Sequence, residues 1–247
     1  MKNKLKILFL DFETSPSLGY FWEMYETNII EVIKHGYMLS ASLKWLGEDK
    51  IYFYGLPDFR GYKKDTSNDR KLLEKILEFV DVADLIIAQN GDRFDLVTLN
   101  TRLVFHGMKP PHPSKTVDTL KVARSRFRFI SNKLDDLGDF LGVGRKTPHT
   151  GKHLWFGCMN GDPKSWAIMK KYNVQDIRLL EKVYLKLRPF MTNHPNLAIL
   201  KDDRGACPTC LKHRLTRSKI IRLRNGHKVQ YQCRSCGVYW TDPKIIK

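Results

Sequence analysis

The sequence predicts an α/β protein with one mixed sheet of five strands flanked by helices, followed by a small cysteine-containing module. An apolar run near the start is followed by two more strand-like stretches and then by a strand–helix–strand order, which together predict the sheet. Two Cys-x-x-Cys pairs near the end predict the module. A chain of 247 residues suits one large domain with such an addition. We place the domain at residues 1–192, a linker at 193–203 and the module at 204–247.

The first strand ends in two carboxylates. Ile7 to Leu10 form an apolar run typical of a buried strand, and Asp11 and Glu13 follow it. Because side chains alternate along a strand, these two acids share one face. Like charges at that separation repel unless a proton or a cation lies between them, and a divalent cation with oxygen ligands fits. The alternative is an acidic strand end that faces water.

The next part of the chain completes an antiparallel meander. Residues 15–35 are an irregular, aromatic-rich insertion that forms either a wall of a substrate site or a loop tucked onto the core. Residues 36–46 and 51–54 indicate two strands joined by a polar turn. Residues 68–82 carry apolar side chains at helical spacing, and 85–88 form a short buried strand.

A third acid follows that buried strand. Residues 89–95 come directly after it, and the residues beyond continue at helical spacing. Asp95 therefore lies near the start of a helix behind a parallel strand, where ligands of such sheets gather. Capping the helix is its alternative role, and Asp92 is a second candidate. A fifth strand is predicted over 116–120 and a short helix over 134–141.

A long helix near the end of the domain carries the fourth acid. It begins near Asp162 and its apolar positions continue to Val183. Tyr172 and Asp176 are four residues apart, so they lie on one face one turn apart. A phenol and a carboxylate on a mostly apolar helix need partners or water, and the alternative is a pair that faces solvent.

The charge of the chain indicates a polyanionic partner. The formal net charge is +17, from 43 Lys and Arg against 26 Asp and Glu. Arg124, Arg126 and Arg128 are interleaved with aromatic residues. They either bind phosphates while the rings stack bases, or belong to a helix end with solvated arginines and buried phenylalanines. No apolar run approaches the roughly 20 residues of a membrane span, and we expect a cytoplasmic protein.

The C-terminal module has the ligand spacing of a zinc site. Its two Cys-x-x-Cys pairs have 22 residues between them, and tetrahedral thiolate coordination of one structural Zn²⁺ suits this arrangement. The four predicted ligands are Cys207, Cys210, Cys233 and Cys236. Two disulfides or unpaired thiols are the alternative. Strands over 219–223 and 229–232 are predicted around Asn225-Gly226, a strong hairpin signal.

The same module carries nine net positive charges, from 12 Lys and Arg and 3 Asp and Glu between residues 201 and 247. Arg222 and Arg224 are candidate contacts to nucleic acid, with aromatic residues nearby for base stacking. We expect the module to anchor nucleic acid. A protein-docking module with a solvated basic face is the alternative.

Together, the acids form three motifs in a recognisable order: Asp-x-Glu in DFET, Asn-x-x-x-Phe-Asp in NGDRFD and Tyr-x-x-x-Asp in YNVQD. This order resembles the DEDD superfamily of 3′→5′ exonucleases, which have the ribonuclease H-like fold, and the tyrosine resembles its DEDDy branch. More closely, the chain is similar to phage and bacterial predicted exonucleases that share DFETSP and a C-terminal zinc ribbon. The second motif begins with Gln89, where that group often has histidine.

The resemblance implies a two-metal mechanism with two Mg²⁺ or Mn²⁺. Asp11 would bridge both ions, Glu13 and Asp176 would complete the site that activates water, and Asp95 would hold the second ion. Tyr172 would orient the attacking water, and Asn90 of the second motif is a candidate contact to nucleic acid.

We therefore expect a DNA 3′→5′ exonuclease of phage or bacterial replication or repair, in the cytoplasm of a bacterium or an infected host. Replication or repair proteins are candidate partners. An RNA exonuclease, a structure-specific endonuclease and a non-catalytic nucleic-acid-binding protein on a nuclease fold are the alternatives.

Overall fold

The computed structural model describes residues 5–23, 25, 28–148 and 150–246. Its strands, in chain order, are β1 (Ile7–Thr14), β2 (Leu18–Tyr20), β3 (Glu31–Lys34), β4 (Met38–Trp45), β5 (Ile51–Gly55), β6 (Leu85–Ala88), β7 (Lys115–Asp118), β8 (Leu215–Leu223), β9 (Gly226–Cys233) and β10 (Tyr239–Thr241). Its α-helices are α1 (Arg70–Val80), α2 (Asp95–Phe105), α3 (Thr119–Arg126), α4 (Leu134–Phe140), α5 (Lys152–Met159), α6 (Pro163–Leu187) and α7 (Leu197–Leu200). Short 3₁₀ helices lie at Leu56–Asp58 and Arg188–Phe190.

The central sheet has five strands in the order β5-β4-β1-β6-β7. Strand β1 pairs antiparallel with β4, and β4 pairs antiparallel with β5. On its other side β1 pairs parallel with β6, and β6 pairs parallel with β7. Helix α2 makes the crossover between these last two strands, as a parallel connection requires. The predicted mixed five-stranded sheet is confirmed.

Helices cover both faces of the sheet, which explains why the first strand is apolar without interruption. Leu8 and Leu10 point into a cluster that α1, α2 and α5 cover. Ile7 and Phe9 point into a second cluster on the opposite face, which α3 and α4 cover. Both clusters contain residues of α6. The acids of β1 therefore continue a strand that the core holds rigidly on two sides.

Helix α6 is 25 residues long and lies across the sheet. Asp162 caps it by accepting hydrogen bonds from the backbone N–H groups of Lys164 and Ser165, and Pro163 occupies its first turn. Tyr172 and Asp176 are both buried on this helix, so they do not form the solvent-facing pair that was the alternative. Within the described ranges, no helix combines the length and apolarity needed to cross a membrane.

Two predicted elements of the large domain differ from the structure. The strand predicted over 116–120 ends at Asp118, because this side chain accepts hydrogen bonds from the backbone of Leu120 and Lys121 and starts α3. The insertion predicted as irregular contains a hairpin, in which β2 pairs antiparallel with β3. Residues 24, 26 and 27 of this insertion lie outside the described part.

The aromatic side chains of this hairpin face solvent. The exposed fractions are 61% for Tyr20, 59% for Phe21, 81% for Trp22 and 92% for Tyr25. These residues are therefore not tucked onto the core, which was one of the two interpretations. Their role as a wall of a substrate site stays a prediction.

The C-terminal module is a three-stranded sheet in the order β10-β9-β8, with the four cysteines at one end. It packs against the end of α6. The Tyr184 hydroxyl lies 2.8 Å from Nε2 of His194, and Leu211 of the module packs against the second core cluster. The segment predicted as a linker contains α7, whose Leu197 is buried and donates its N–H to the Pro208 carbonyl at 2.7 Å.

Candidate active site

Strand β1 and helix α6 bring three of the predicted acids together. Asp11, Glu13 and Asp176 each place a carboxylate oxygen within 4.8 Å of the others. Asp11 and Glu13 share a face of β1, and α6 crosses the sheet directly over them. Oxygen ligands of Mg²⁺ at about 2.1 Å lie at most about 4.2 Å apart, so small side-chain movements would close this triad on an ion. The donor set fits a hard divalent cation.

Asp95 lies beside the triad and is buried at the start of α2. Its Oδ1 accepts the backbone N–H of Phe12 at 2.9 Å, which fixes the carboxylate against β1 between the two strand acids. The alternative Asp92 instead points to the surface and pairs with Lys121 at 2.7 Å.

The turn before α2 is tight, and glycine is required there. A Cβ added to Gly91 would lie 2.3 Å from the Cβ of Ala88, closer than side chains can approach. Asn90 has a positive φ of 64°, and its N–H donates to Asp118 Oδ1 at 2.9 Å. This compact turn returns the chain from β6 so that Asp95 reaches β1.

Two residues outside the predicted set hold the strand carboxylates in place. The Asn173 side-chain amide donates to Asp11 Oδ2 at 2.6 Å, and its oxygen accepts from the Ser40 hydroxyl at 3.3 Å. The Trp155 indole N–H donates to Glu13 Oε2 at 3.1 Å, and its ring lies edge-on to Tyr172. The only sequence signal for Asn173 is an amide next to Tyr172 on a helix.

Lys146 is a third residue outside the predicted set. It lies in the loop between α4 and α5, with its ammonium 2.5 Å from Asp176 Oδ2 and 3.1 Å from the Tyr172 hydroxyl. Burial opposes its charge, but Asp176 and Tyr172 outweigh burial and raise its pKa. Lys146 therefore stays a cation among the acids.

The acids have raised pKa values because they are buried or half-buried and lie close together. Burial first, and then the charges of Asp176, Glu13 and Asp95, raise the pKa of Asp11. Burial and Asp176 raise the pKa of Glu13 to about 8, and burial raises that of Asp95 to about 7. A site that penalises negative charge in this way favours the binding of cations.

Tyr172 remains a phenol near neutral pH. Burial, and then the charge of Asp176, raise its pKa further above the ordinary value of 10.0. A neutral phenol can donate a hydrogen bond to a water or to a phosphate oxygen.

A pocket of about 590 Å³ opens beside Asp11. Asn90 and Arg124, both candidate contacts to nucleic acid, line it together with Lys133 and Lys146. Arg126 and Arg128 are exposed but lie outside this lining, and Arg222 and Arg224 are exposed in the C-terminal module. The pocket thus places Asp11 next to cations that suit a phosphodiester.

The four cysteines form a second cluster of possible metal ligands. The Sγ atoms of Cys207 and Cys236 are 3.7 Å apart, and those of Cys210 and Cys233 are 3.6 Å apart. A disulfide is about 2.05 Å long, whereas sulfurs around Zn²⁺ at about 2.3 Å are about 3.8 Å apart. The cluster therefore fits a tetrahedral ion and not two disulfides, as expected for a zinc ribbon.

Comparison with known proteins agrees with this architecture. No curated protein matches the chain. The chain is similar to the family B DNA polymerase from the hyperthermophilic archaeon Pyrobaculum calidifontis, with 16% sequence identity and a TM-score of 0.58. The match covers 76% of this chain but only 25% of the polymerase, so it shows a shared fold.

A family model gives the assignment. Residues 42–188, more than half of the chain, match the RNase H superfamily. The match includes Asp95, Tyr172 and Asp176, and it begins after Asp11 and Glu13. The chain belongs to the RNase H superfamily.

Proposed function

We propose that this protein is a metal-dependent nuclease that removes nucleotides from the 3′ end of DNA. The observation that carries the proposal is the convergence of Asp11, Glu13 and Asp176 within 4.8 Å, with Asp95 beside them. A domain with only a structural role gains nothing from burying like charges together. The superfamily and the fold shared with a DNA polymerase support phosphodiester chemistry. The polarity and the DNA substrate come from the resemblance of the three motifs.

The acids would hold two divalent cations, Mg²⁺ or Mn²⁺. Asp11 would contact both ions, Glu13 and Asp176 would complete one site, and Asp95 would complete the other. When bound, such a pair supplies an activated water and neutralises charge on the leaving oxygen.

Residues of the chain supply position and charge. Asn173 and Trp155 fix the orientation of the Asp11 and Glu13 carboxylates. The Tyr172 phenol would donate a hydrogen bond to the attacking water and orient it. Lys146 balances the charge of the acids and, as a cation lining the pocket, would contact the phosphate.

The C-terminal module would bind one structural Zn²⁺ through its four cysteines and anchor nucleic acid through Arg222 and Arg224. A module this small has little core, so the ion would supply much of its folding free energy. We place the protein in the cytoplasm of a bacterium or a phage-infected host, acting in replication or repair.

Single-stranded DNA and RNA oligonucleotides labelled at the 5′ end test the proposal, with Mg²⁺ or Mn²⁺ added. Wild-type protein is expected to produce a ladder of products shortened from the 3′ end. The Asp11→Asn variant is expected to lose this turnover by about a thousandfold or more while keeping its circular dichroism spectrum. Lys170→Met, an exposed position on the same helix as Asp176, is the matched control.

Each other outcome identifies a different function. A ladder obtained only with RNA would show that the substrate is RNA and not DNA. A single internal product would indicate an endonuclease. Binding without any product under both ions would leave a non-catalytic nucleic-acid-binding protein. Turnover by Asp11→Asn at the wild-type rate would reject the site.

A further inference from the structure

A row of phenylalanine rings connects the pocket with the C-terminal module; we call Phe127, Phe129, Phe140 and Phe190 the aromatic strip. Phe127 and Phe129 are stacked with centroids 4.9 Å apart. Phe140 lies edge-on to Phe129 at 5.2 Å, and Phe190 lies edge-on to Phe127 at 5.3 Å. The rings thus form one continuous surface contributed by three separate segments.

The strip adjoins two functional regions. Beside its inner ring Phe129, the next residue in the chain, Ile130, lines the pocket beside Asp11 and is fully exposed. At one end of the strip, Pro189 precedes Phe190 and lies against Gly237 in the second cysteine knuckle. The strip therefore connects the active-site pocket with the zinc ribbon.

The outer rings of the strip are exposed to an unusual degree for phenylalanine. Phe140 is 75% exposed and Phe190 is 60% exposed, whereas phenylalanine is among the residues most often buried. Both side chains have a ring face or edge available to an incoming group, because each contacts the strip on one side only.

The charges along the strip suit a phosphate backbone. Arg124, Arg126 and Arg128 are all exposed, and none of them forms an ion pair within the described ranges. Two of the three acids of the neighbouring helix α4, Asp135 and Asp139, pair with Arg145, and the third, Asp136, accepts a hydrogen bond from the Ser131 hydroxyl. Free guanidinium groups beside exposed rings are the combination that binds single strands.

We propose that the aromatic strip binds the single-stranded part of a nucleic acid and leads it from the active-site pocket to the zinc ribbon. This inference rests on the proposed nuclease function. Unpaired bases have free faces to stack on the rings, whereas the bases of a duplex already stack on one another. From ring to ring the strip measures at most about 15 Å, which is room for at most about four stacked nucleotides at a spacing of about 3.4 Å. A protein that docked on the strip would not require the strip to adjoin the pocket beside Asp11, whereas a nucleic acid strand would.

Fluorescence anisotropy with oligo(dT) of 4 and 16 nucleotides tests this proposal, without added divalent cation. Wild-type protein is expected to bind the longer strand more tightly. The double variant Phe140→Ala/Phe190→Ala is expected to bind the 16-mer about tenfold more weakly or worse, because two stacking surfaces are lost. Phe105→Ala, which removes one ring that is 63% exposed on α2, is the control for the loss of an exposed ring outside the strip.

A second pair of variants tests the charges. Arg126→Glu/Arg128→Glu is expected to weaken 16-mer binding and to reduce its dependence on salt concentration, since fewer counterions are released. Lys63→Glu/Lys64→Glu makes the same charge change at exposed positions elsewhere and is expected to have a smaller effect.

The outcomes separate this proposal from the nuclease proposal. If the wild type cleaves nothing but the strip variant loses binding, the strip proposal stands and the nuclease proposal fails. If the wild type trims DNA and the strip variant binds the 16-mer as well as wild type does, the strip proposal is overturned. A change in sedimentation behaviour with unchanged 16-mer affinity would also overturn it, because the strip would then be a protein contact.

Discussion

Lys146 has two roles with opposite effects: it competes with metal ions for the acids, and it attracts an anionic substrate. Its ammonium is 2.5 Å from Asp176 and 3.1 Å from Tyr172, so it neutralises acids that would also hold metal ions. A bound ion and this ammonium repel each other, whereas an anionic phosphate attracts both. The residue is thus placed to move from the acids toward a substrate when ions bind.

Substitution of Lys146 by methionine tests these roles. Lys146→Met is expected to bind Mn²⁺ about fivefold more tightly, because a competing charge worth roughly 1 kcal/mol is removed. The same variant is expected to hydrolyse DNA at least tenfold more slowly, because the phosphate loses a cation. Isothermal titration and single-turnover kinetics measure the two effects. If Mn²⁺ affinity and turnover are both unchanged in Lys146→Met, Lys146 neither competes with the metal ions nor contacts the phosphate.

The raised pKa values of Glu13 and Asp95 predict how metal binding depends on pH. Glu13, with a pKa of about 8, and Asp95, with a pKa of about 7, retain protons near neutral pH in the ion-free protein. These protons must leave when a divalent cation binds, so the affinity for Mg²⁺ is expected to rise between about pH 6 and 8, by up to about tenfold per unit for each proton.

Titration calorimetry in buffers of different ionisation enthalpy counts the released protons. The Glu13→Gln variant has one fewer titrating ligand and is expected to release fewer protons and show a shallower pH dependence. Wild-type affinity that is constant over this pH range would show that the acids are already ionised without metal.

The acids of the site were predictable from sequence because local geometry places them. Alternation along β1 is sufficient to put Asp11 and Glu13 on one face, and helical spacing does the same for Tyr172 and Asp176. Lys146 and Trp155 were not predictable in this way. Their contacts depend on how a loop and a short helix return to the sheet, and nothing in their neighbouring residues encodes that path.

At the scale of elements, the turn at Gly91 determines whether α2 can present Asp95. An added Cβ would lie 2.3 Å from the Cβ of Ala88, so Gly91→Ala must shift the backbone. We expect a loss of stability of about 1–3 kcal/mol and a clear loss of turnover as Asp95 moves. Thermal unfolding and the oligonucleotide assay measure the two effects.

A compensating variant makes this prediction specific. Ala88→Gly/Gly91→Ala removes the atom that the new Cβ meets, and the next atom is 3.6 Å away, an ordinary contact. The double variant is therefore expected to recover turnover relative to Gly91→Ala. If it recovers none, the clash is not the cause of the loss.

Element boundaries were predictable where apolar periodicity defines them, as in β6 and α1. The hairpin of β2 and β3 was not, because its apolar side chains are exposed and follow no alternation between a core face and a solvent face. The start of α3 was missed for another reason. Asp118 lies in a strand-like run, but its side chain caps the helix that follows.

At the scale of the whole molecule, His194 fixes the segment between the large domain and the C-terminal module against helix α6. Its Nδ1 is 2.8 Å from the Pro195 carbonyl and its Nε2 is 2.8 Å from the Tyr184 hydroxyl. Burial raises the pKa of Tyr184 to about 12, so the phenol stays a donor. A neutral imidazole that donates from Nδ1 and accepts at Nε2 satisfies both contacts.

Acid is expected to weaken this connection. Burial lowers the pKa of His194 below 6.5, so the unfolded chain takes up the proton first. The stability that His194 contributes is therefore complete above pH 6.5 and is lost as the pH falls through the folded pKa. Limited proteolysis in the segment 193–203 as a function of pH measures this loss.

The His194→Gln variant separates this effect from protonation of the cysteines. Glutamine still accepts from Tyr184 but does not titrate, so the part of the pH dependence due to residue 194 is expected to disappear. An identical pH profile for both proteins would assign the whole effect to other groups.

The burial of the segment around α7 could not be predicted from its composition. Prolines and asparagines in residues 189–196 correctly indicate that the long helix ends. They carry no information about burial, however, and Leu197 and Ala198 are almost fully buried beside the ribbon. The sequence thus indicates where the helix ends, but it does not indicate whether the next residues form an exposed linker or pack against the rest of the protein.

The clustered carboxylates have a consequence for the folding stability of this chain. Holding Asp11, Glu13 and Asp176 together without ions works against the rest of the core. Asparagine at position 11 would keep the shape of the side chain and remove one of the repelling charges. The variant is therefore expected to be more stable to unfolding but inactive. Stability alone would favour the amide, so the three clustered acids are expected to be stabilised by a bound cation.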